Sequence, residues 1–360
     1  MKPPTQTDVR QFDSAKILNH PERIYEWLET GNTKPITYEL DLTNKCNSEC
    51  PYCFGFLNRK NNCGSLDKKF VVKILNQIKN FGGKAVTFTG GGEPLLNSNI
   101  ADSIAAAKEL GLDVGIITNG ILLKKEISEI ILKNAVWIRI SLDAASPEIY
   151  KKTHGLGSDF FYKVCENIKA ITSLKKRIIS STTVGIGFLT FEDSIRDIVK
   201  FAKLGKELGV DYSQYRPLLN SFKAEKINYK QNYSKVVFNK IREAMRFSTS
   251  NYKVLYSKHK YDTIQLEKNL RNYQECYGHH FAAVIAADKK MYLCCHLRGV
   301  KKYCLGNLKI QTLKQIWTGA FRKKIYENIN FKDCPFLCRC DSFNTILWNI
   351  RKPKVHINFL

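Results

Sequence analysis

Three cysteines near the start of the chain have a spacing suited to holding a metal cluster. They follow a predicted strand as Cys46-x3-Cys50-x2-Cys53. Three thiolates from one loop can hold three corners of a 4Fe–4S cube and leave the fourth iron open. A structural zinc site is instead closed by four ligands, and Cys63 could supply the fourth. The spacing alone therefore predicts an open iron–sulfur cluster or a closed zinc site.

A second group of cysteines lies near the other end of the chain. Of the 12 cysteines, seven fall after residue 275. These are Cys276, Cys294, Cys295, Cys304, Cys334, Cys338 and Cys340. The N-terminal residues 1–4 lead into polar residues rather than an apolar run, so we expect a cytoplasmic chain without a disulfide framework. Clustered cysteines in that compartment indicate metal or redox chemistry.

Alternating strands and helices must position the first cysteine loop. The predicted strands are residues 36–42, 85–89, 114–118, 137–142, 183–189 and 212–216, and each but the last precedes a helical pattern. Such units form a parallel sheet with right-handed crossovers, and functional loops gather at the carboxyl ends of its strands. Six units are fewer than the eight of a closed barrel, so we expect an α/β fold with a partial (β/α)6 barrel.

The same pattern predicts four segments. Residues 1–35 form an N-terminal extension with a short leading helix, and residues 36–217 form the partial barrel. Residues 218–275 are polar and predict a helical connecting segment. Residues 276–360 form a small Cys-rich domain with a C-terminal tail.

Composition and charge limit the classes of partner. The chain has 360 residues, of which 44% are hydrophobic and 25% charged, as in globular proteins, and no apolar run is long enough for a membrane helix. The 57 Lys+Arg against 33 Asp+Glu give a net charge of +24. Because lysine dominates over arginine, a solvated surface explains this charge better than dedicated nucleic-acid binding. We expect no membrane partner and an anionic substrate.

The first cysteine loop and the loop after the second strand together resemble the radical S-adenosylmethionine (SAM) superfamily. The second strand ends in Thr89-Gly90-Gly91-Gly92-Glu93-Pro94, the glycine-rich segment that such proteins carry at this place. The resemblance covers about residues 36–217. It implies a SAM-binding 4Fe–4S cluster on Cys46, Cys50 and Cys53, the catalytic thiols.

The resemblance also implies which residues contact SAM. Each lies at or near the end of a predicted strand, or in the cysteine loop. They are Tyr52 beside the adenine, Gly91, Gly92 and Glu93 at the methionyl amino group, Asn119 after the third strand, Ser141 and Asp143 at the ribose and carboxylate, Gly187 on the adenine side, and Arg216 as a partner for a carboxylate.

The C-terminal cysteines resemble those of radical SAM enzymes that have a SPASM or shorter twitch extension. In that pattern a glycine lies between the first two cysteines, and here Lys289 takes its place in a predicted hairpin of residues 283–287 and 291–293. The resemblance implies one auxiliary 4Fe–4S cluster. Its ligands would be Cys276, Cys294, Cys334 and Cys338, with Cys340 competing for the fourth place and Cys295 competing with Cys294. Two auxiliary clusters, as in a full SPASM domain, and a zinc knuckle stay open.

The implied activity is that of a radical SAM oxidoreductase or epimerase. Electrons from a flavodoxin- or ferredoxin-type donor would drive cleavage of SAM to a 5′-deoxyadenosyl radical. The radical would take hydrogen from a sugar-type natural product or a peptide, and the auxiliary cluster would accept or return an electron. In epimerisation a thiol would return hydrogen, and the spare thiols are Cys165, Cys295, Cys304 and Cys340. Each is also explained as a small buried apolar side chain.

Other functions stay open beside this one. They are a peptide maturase that forms a cross-link, an RNA-modifying radical SAM enzyme, and a non-catalytic basic iron–sulfur or zinc protein that binds nucleic acid. The last would need the cysteines but not Glu93, Asn119 or Asp143, so those three residues count against it.

Overall fold

The computed structural model describes residues 13–55, 64–219, 233–265, 271–335, 337–353, 355–356 and 358. Cys63, the alternative fourth thiol of the first loop, lies outside these ranges, as do parts of the predicted extension, connecting segment and tail. Within them, every helix is too short or too polar to cross a membrane.

One sheet of ten strands organises the described residues. Its strands are β1 (Thr37–Asp41), β2 (Ala85–Thr89), β3 (Asp113–Thr118), β4 (Trp137–Ser141), β5 (Thr183–Thr190), β6 (Tyr212–Pro217), β7 (Lys253–Tyr256), β8 (Ala282–Ile285), β9 (Lys290–Tyr292) and β10 (Cys304–Asn307). They lie in the order β10-β9-β8-β1-β2-β3-β4-β5-β6-β7. Strands β1 to β7 pair in parallel, β8 joins β1 in parallel, and β8, β9 and β10 pair antiparallel. The predicted α/β fold is confirmed.

Helices lie before, between and after these strands. They are α1 (Pro21–Thr30), α2 (Lys68–Asn80), α3 (Ile100–Glu109), α4 (Lys125–Asn134), α5 (Pro147–His154), α6 (Asp159–Arg177), α7 (Ile198–Glu207), α8 (Tyr233–Ala244), α9 (Lys258–Gln265), α10 (Leu313–Thr318), α11 (Ala320–Tyr326) and α12 (Asp341–Arg351). Helix α2 is typical: the Asp67 carboxylate accepts the Phe70 N–H at 2.8 Å as an N-cap, and apolar residues at helical spacing bury one face.

The two faces of the parallel strands differ in chemistry. Side chains alternate between the faces of a strand. The row beneath the helices is apolar and buried, as Leu40, Phe88 and Ile140 illustrate. The opposite row, on the concave face, carries Glu39 and Asp41 on β1, Thr87 and Thr89 on β2, Arg139 and Ser141 on β4, and Gln214 and Arg216 on β6. The concave face is therefore a polar lining.

The predicted hairpin of the Cys-rich region is confirmed and extends the same sheet. Strands β8 and β9 form it, and Lys289 lies in its turn with φ of +64°. Only glycine adopts this left-handed conformation without steric cost, which explains why the related pattern has glycine there. The Lys289 ammonium pairs with Asp67 at 2.9 Å and lies 4.8 Å from the centre of the Phe70 ring, contacts that a glycine would lack.

Two further observations concern the ends of the sheet. The segment predicted to be helical, residues 218–275, contains a seventh parallel strand, β7, beside the expected helices. The predicted leading helix is confirmed as α1, and its Trp27 ring lies 4.7 Å from the Tyr277 ring. The N-terminal helix therefore packs on the C-terminal Cys-rich region.

Candidate active site

The segments after β2 and β3 hold the first cysteine loop in place. The Lys45 carbonyl accepts the Glu93 N–H at 2.8 Å, which joins the loop to the glycine-rich segment after β2. The side-chain amide of Asn119, after β3, donates from Nδ2 to Asn47 Oδ1 at 2.7 Å and to the Ser48 hydroxyl at 3.0 Å. Cys46, Cys50 and Cys53 are each half-buried in this loop. Thiols on a loop fixed from several sides suit a preformed cluster site.

Glu93 is a buried carboxylate that accepts hydrogen bonds from three donors. Its two oxygens accept the Thr118 hydroxyl at 2.6 Å, the Asn119 N–H at 2.8 Å and the Leu95 N–H at 3.1 Å. Burial raises the pKa of Glu93, and the Asn119 and Thr118 hydrogen bonds oppose that shift. Since no cationic side chain among the described residues pairs with it, the site fits an ammonium group supplied by a ligand.

Gly92 is in unusually close contact with the cysteine loop. A Cβ atom added to Gly92 would lie 2.1 Å from the Lys45 carbonyl oxygen and 2.6 Å from the Asn44 carbonyl carbon. The same atom on Gly90 would meet nothing closer than 3.4 Å. Gly92 thus lets two backbones approach, whereas Gly90 has room for a methyl group.

We expect Gly92→Ala to separate the two loops and Gly90→Ala to be tolerated. Backbone atoms cannot move aside as a flexible side chain does, and overpacking of this kind typically costs about 1–3 kcal/mol. Gly92→Ala should therefore weaken SAM binding at least roughly tenfold. Equilibrium dialysis with labelled SAM under anaerobic conditions measures this. Equal affinities in the two variants would contradict the close-contact explanation.

Asp143 has the geometry of a ligand-binding carboxylate. It follows β4 with φ of +48°, and its N–H donates to the Gly187 carbonyl at 2.9 Å. One of its carboxylate oxygens, Oδ1, is buried without a hydrogen-bond partner among the described residues. Burial raises the pKa of Asp143, and Arg216, His154 and Arg139 oppose that shift. An unsatisfied buried oxygen in a polar recess fits hydroxyl donors such as those of a ribose.

The other predicted SAM contacts lie at the same edge of the sheet. The Tyr52 ring is 6.0 Å from the Phe191 ring, which follows β5. A Cβ atom on Gly187 would lie 2.9 Å from Arg216 Nη2, so this guanidinium crosses over the glycine. Asn119 was predicted to contact SAM, but in the structure its side chain is hydrogen-bonded to the cysteine loop. Its contact with SAM stays a prediction.

Arg139 lies on the same polar face of the sheet but is not among the residues predicted from the sequence. It is on the concave face of β4, and its Nη1 donates to Gln214 Oε1 at 3.2 Å. Burial, and then the charge of Arg216, lower its pKa to about 10. The sequence signal that could have identified Arg139 is its charge in the middle of an otherwise apolar predicted strand.

The four thiols predicted to hold the auxiliary cluster come together in the structure. Burial raises the pKa of Cys276, and thiolates at Cys338, Cys294 and Cys334 raise it further. Burial and thiolates at Cys338 and Cys334 raise the pKa of Cys294 to about 12. Burial and Cys338 raise that of Cys334 to about 11. Every pair in this quartet is thus within electrostatic range.

Backbone donors support thiolates in the quartet. The Cys276 sulfur accepts the His279 N–H, and the Cys294 sulfur accepts the N–H groups of His296 and Leu297. Such donors stabilise the charged form that binds iron. Among the described residues, no three Cys, His, Asp or Glu side chains converge as around a single metal ion.

The remaining cysteines differ in their surroundings. The Cys340 thiol is hydrogen-bonded to the Cys338 sulfur, and Cys295 neighbours Cys294, so Cys340 and Cys295 both stay competitors for a ligand position. Cys304 instead lines an open recess of about 660 Å³. Cys165 is buried in the core on α6, where burial raises its pKa to about 11. The adjacent histidines 279 and 280 are buried against Arg322.

A buried ion network joins the two cysteine regions. Arg298, just after the Cys294 loop, donates to Asp41 at 3.0 Å and pairs with Glu39, both on the concave face of β1. Arg339, between Cys338 and Cys340, also pairs with Glu39. Asp41 additionally accepts the Gly91 N–H. The auxiliary loops are thereby tied to the strand that carries the first cysteine loop.

We expect Arg298→Met to destabilise the chain strongly. It would leave Asp41 buried without its cation, and breaking a buried pair typically costs about 3–5 kcal/mol. Lys302→Met is the matched control, because Lys302 pairs with Asp333 at the exposed surface and should hardly change the stability. Anaerobic urea denaturation of both variants measures the free energy of unfolding. Equal stabilities would contradict a structural role for the network.

Two known families match this chain, one over the region of the first cysteine loop and one over the C-terminal Cys-rich region. Residues 40–202 match the radical SAM superfamily. Residues 276–341 match SPASM, an iron–sulfur cluster-binding domain. The first match includes Cys46, Cys50 and Cys53, and the second spans the quartet.

The alignments with curated relatives cover about half of this chain. A probable GTP 3′,8-cyclase of Methanocaldococcus jannaschii is 28% identical over 221 residues, 55% of this chain and 71% of the relative. A probable GTP 3′,8-cyclase of Saccharolobus islandicus is 32% identical over 173 residues, 48% of this chain. The chain spans only 53% of that second relative's length.

Solved structures share the fold over most of the chain. Streptococcus suis SuiB bound to its precursor peptide SuiA superimposes with a TM-score of 0.66 at 17% identity, over 86% of this chain and 71% of SuiB. Native anSMEcpe with bound AdoMet superimposes with a TM-score of 0.61 at 19% identity, over 81% of this chain and 83% of anSMEcpe. At these identities the likeness concerns the fold.

Proposed function

Because the chain belongs to the radical SAM superfamily and carries a SPASM iron–sulfur domain, we propose that it oxidises or epimerises a substrate carbon by radical chemistry. Its two domains imply a SAM-binding 4Fe–4S cluster and an auxiliary iron–sulfur cluster. When bound, these groups and SAM supply a reducing electron, a 5′-deoxyadenosyl radical that takes hydrogen, and an electron acceptor. One observation above all supports the proposal: beside a loop of three thiols lies the buried Glu93 carboxylate, with which no cationic side chain of the described residues pairs.

We assign the first-cluster site as follows. Cys46, Cys50 and Cys53 would bind three irons and leave the fourth for SAM. Glu93 would accept hydrogen bonds from the SAM ammonium group, and the backbone of Gly91 and Gly92 would border it. The half-buried Tyr52 would pack beside the adenine.

The polar strand ends would hold the rest of SAM. Asp143 offers its unsatisfied oxygen to the ribose hydroxyls. Ser141, Asn119 and Gly187 lie at the same sheet edge, and Arg216 offers a guanidinium to the carboxylate. These groups would orient SAM and exclude water from the radical's path.

In the C-terminal region, Cys276, Cys294, Cys334 and Cys338 would bind one auxiliary 4Fe–4S cluster. The electrostatic proximity of all four thiols supports this set. Cys340, whose thiol is hydrogen-bonded to Cys338, is the alternative fourth ligand. We further propose that the chain is cytoplasmic and that a flavodoxin or ferredoxin reduces the first cluster.

The substrate proposed here is a small molecule or a peptide. The likeness to SuiB with its precursor peptide is one of fold, and the curated relatives that carry the name GTP cyclase share about half of this chain. Neither similarity assigns a substrate. Both are compatible with a radical enzyme that acts in the polar concave recess.

The direct test is SAM cleavage by the anaerobically reconstituted chain. With dithionite and SAM we expect 5′-deoxyadenosine and methionine in equal amounts, quantified by mass spectrometry. Glu93→Gln is the matched variant, because it keeps the shape but removes the charge, and cleavage at low SAM should fall at least roughly tenfold. Zinc in place of iron together with no cleavage would overturn the proposal and favour a non-catalytic protein.

A further inference from the structure

His154 is the last residue of helix α5 and lies between the end of β4 and the first cysteine loop. Its imidazole Nε2 is 2.8 Å from the carbonyl oxygen of Ser141, the last residue of β4. Its own backbone carbonyl accepts the Glu49 N–H at 2.9 Å, one residue before Cys50. One residue therefore contacts both the strand end assigned to SAM and the loop assigned to the first cluster.

The surroundings of His154 fix the orientation and the tautomer of its ring. The residue is only 2% exposed, and its ring stacks on the Tyr150 ring with centroids 4.2 Å apart. Because a carbonyl oxygen can only accept, Nε2 carries the proton that is donated to Ser141. Nδ1 is 2.8 Å from the Thr153 hydroxyl, and burial lowers the pKa of His154, which favours the neutral ring. Both ring nitrogens thus have partners within the protein, and neither is left over for SAM.

The turn after His154 is packed directly on the cysteine loop. Gly155 ends α5 with φ of +66°, and a Cβ atom added to it would lie 2.8 Å from the Glu49 carbonyl oxygen. Contact of backbone with backbone leaves the end of α5 little freedom to move relative to the loop. The position of His154 is therefore set from the side of the first cluster.

The residue that benefits from this support is Asp143, whose backbone conformation is strained. Its φ of +48° is in the left-handed region, which is unfavourable for a residue with a side chain and persists only where neighbouring groups fix it. The Gly187 carbonyl accepts the Asp143 N–H at 2.9 Å. Two residues earlier, the His154 ring fixes the Ser141 carbonyl. The two hydrogen bonds together hold the chain on both sides of the strained turn.

We infer that His154 is a positioning residue, which holds Asp143 in the conformation that binds the SAM ribose and ties it to the first cysteine loop. The inference rests on the proposed function, since that function assigns the Asp143 carboxylate to the ribose hydroxyls. His154 acts through the Ser141 carbonyl and not by touching SAM. The Asp143 oxygen that lacks a hydrogen-bond partner in the described structure is then presented to the ribose only while the His154 hydrogen bond is intact.

The test is a double-variant cycle on SAM affinity, measured by anaerobic equilibrium dialysis with the reconstituted full chain. His154→Leu removes the hydrogen bond to Ser141 and should weaken SAM binding roughly tenfold. Asp143→Gly removes the carboxylate and tolerates the positive φ, and in that background His154→Leu should cost less than about twofold. In a Glu93→Gln background it should still cost roughly tenfold, because Glu93 binds another part of SAM.

Conservative and control variants separate positioning from general stability. His154→Gln should restore most of the affinity, because its Nε2 amide can reach the Ser141 carbonyl. Lys151→Gln, an exposed change on the same helix, should bind SAM as the unaltered chain does. Iron content shows that each variant is loaded, and His154→Asn, whose amide is too short to reach Ser141, replaces His154→Leu if that variant loses iron.

The outcomes distinguish this inference from the proposed function. An unchanged SAM affinity in His154→Leu, or the same loss with and without the Asp143 carboxylate, would overturn the positioning role. SAM cleavage by the unaltered chain tests the proposed function alone. Cleavage can therefore succeed while the cycle is additive, or fail while SAM affinity still depends on His154 through Asp143.

Discussion

Replacing Cys46, Cys50 and Cys53 together by alanine should abolish SAM cleavage while leaving the auxiliary cluster in place. The unaltered chain should contain about eight irons and the triple variant about four. Because the electron enters SAM through iron, 5′-deoxyadenosine formation should fall at least about 10³-fold, to background. Iron and sulfide counting and mass spectrometry on the same anaerobic samples measure both effects.

The matched control for the triple variant is Cys165→Ala. Cys165 is buried on α6 in the apolar core and is not among the assigned cluster ligands, so iron content and cleavage should stay unchanged. A triple variant that loses all iron would indicate that the two sites fold as one unit. A triple variant that still cleaves SAM would contradict the assignment of the loop.

Loss of the auxiliary ligands should have the second largest effect, on both iron content and stability. We expect Cys276→Ala/Cys294→Ala to retain about four irons and to unfold on the order of 10 °C lower, because metal binding energy contributes to folding. SAM cleavage without substrate should persist, since the first loop is intact. Iron counting and anaerobic calorimetry measure these changes.

Single variants distinguish the competing ligands. Cys334→Ala and Cys338→Ala should lose the auxiliary iron, whereas Cys340→Ala and Cys295→Ala should keep it. Cys304→Ala is the control, because that thiol lines a separate recess and should be silent. If Cys340→Ala loses the cluster and Cys338→Ala keeps it, the fourth ligand assigned here is wrong. About twelve irons in the unaltered chain would mean two auxiliary clusters.

Sequence reasoning was reliable where chemistry follows directly from strand order. Parallel βα units bring their carboxyl ends to one edge, so the first cysteine loop, Glu93, Asn119 and Asp143 could be placed together before any coordinates. The glycine pattern could be recognised, but the particular role of Gly92 depends on a contact with the Lys45 backbone. Only the three-dimensional structure gives that contact.

The missed features depend on long-range pairing. Strand β7 has four residues in a polar segment, and its pairing with β6 rather than its own pattern makes it a strand. Arg298 meets Asp41 across 257 positions of the chain, which no local pattern encodes.

The central claim, that one cluster in the chain binds SAM while an auxiliary cluster does not, is tested most directly by spectroscopy. Mössbauer spectra of the ⁵⁷Fe-reconstituted chain should be recorded before and after SAM is added. We expect one iron of the first cluster to change its spectrum, because SAM fills its open position, while the auxiliary cluster stays unchanged. Spectra that do not respond to SAM, or a chain that binds zinc instead of iron, would contradict the account.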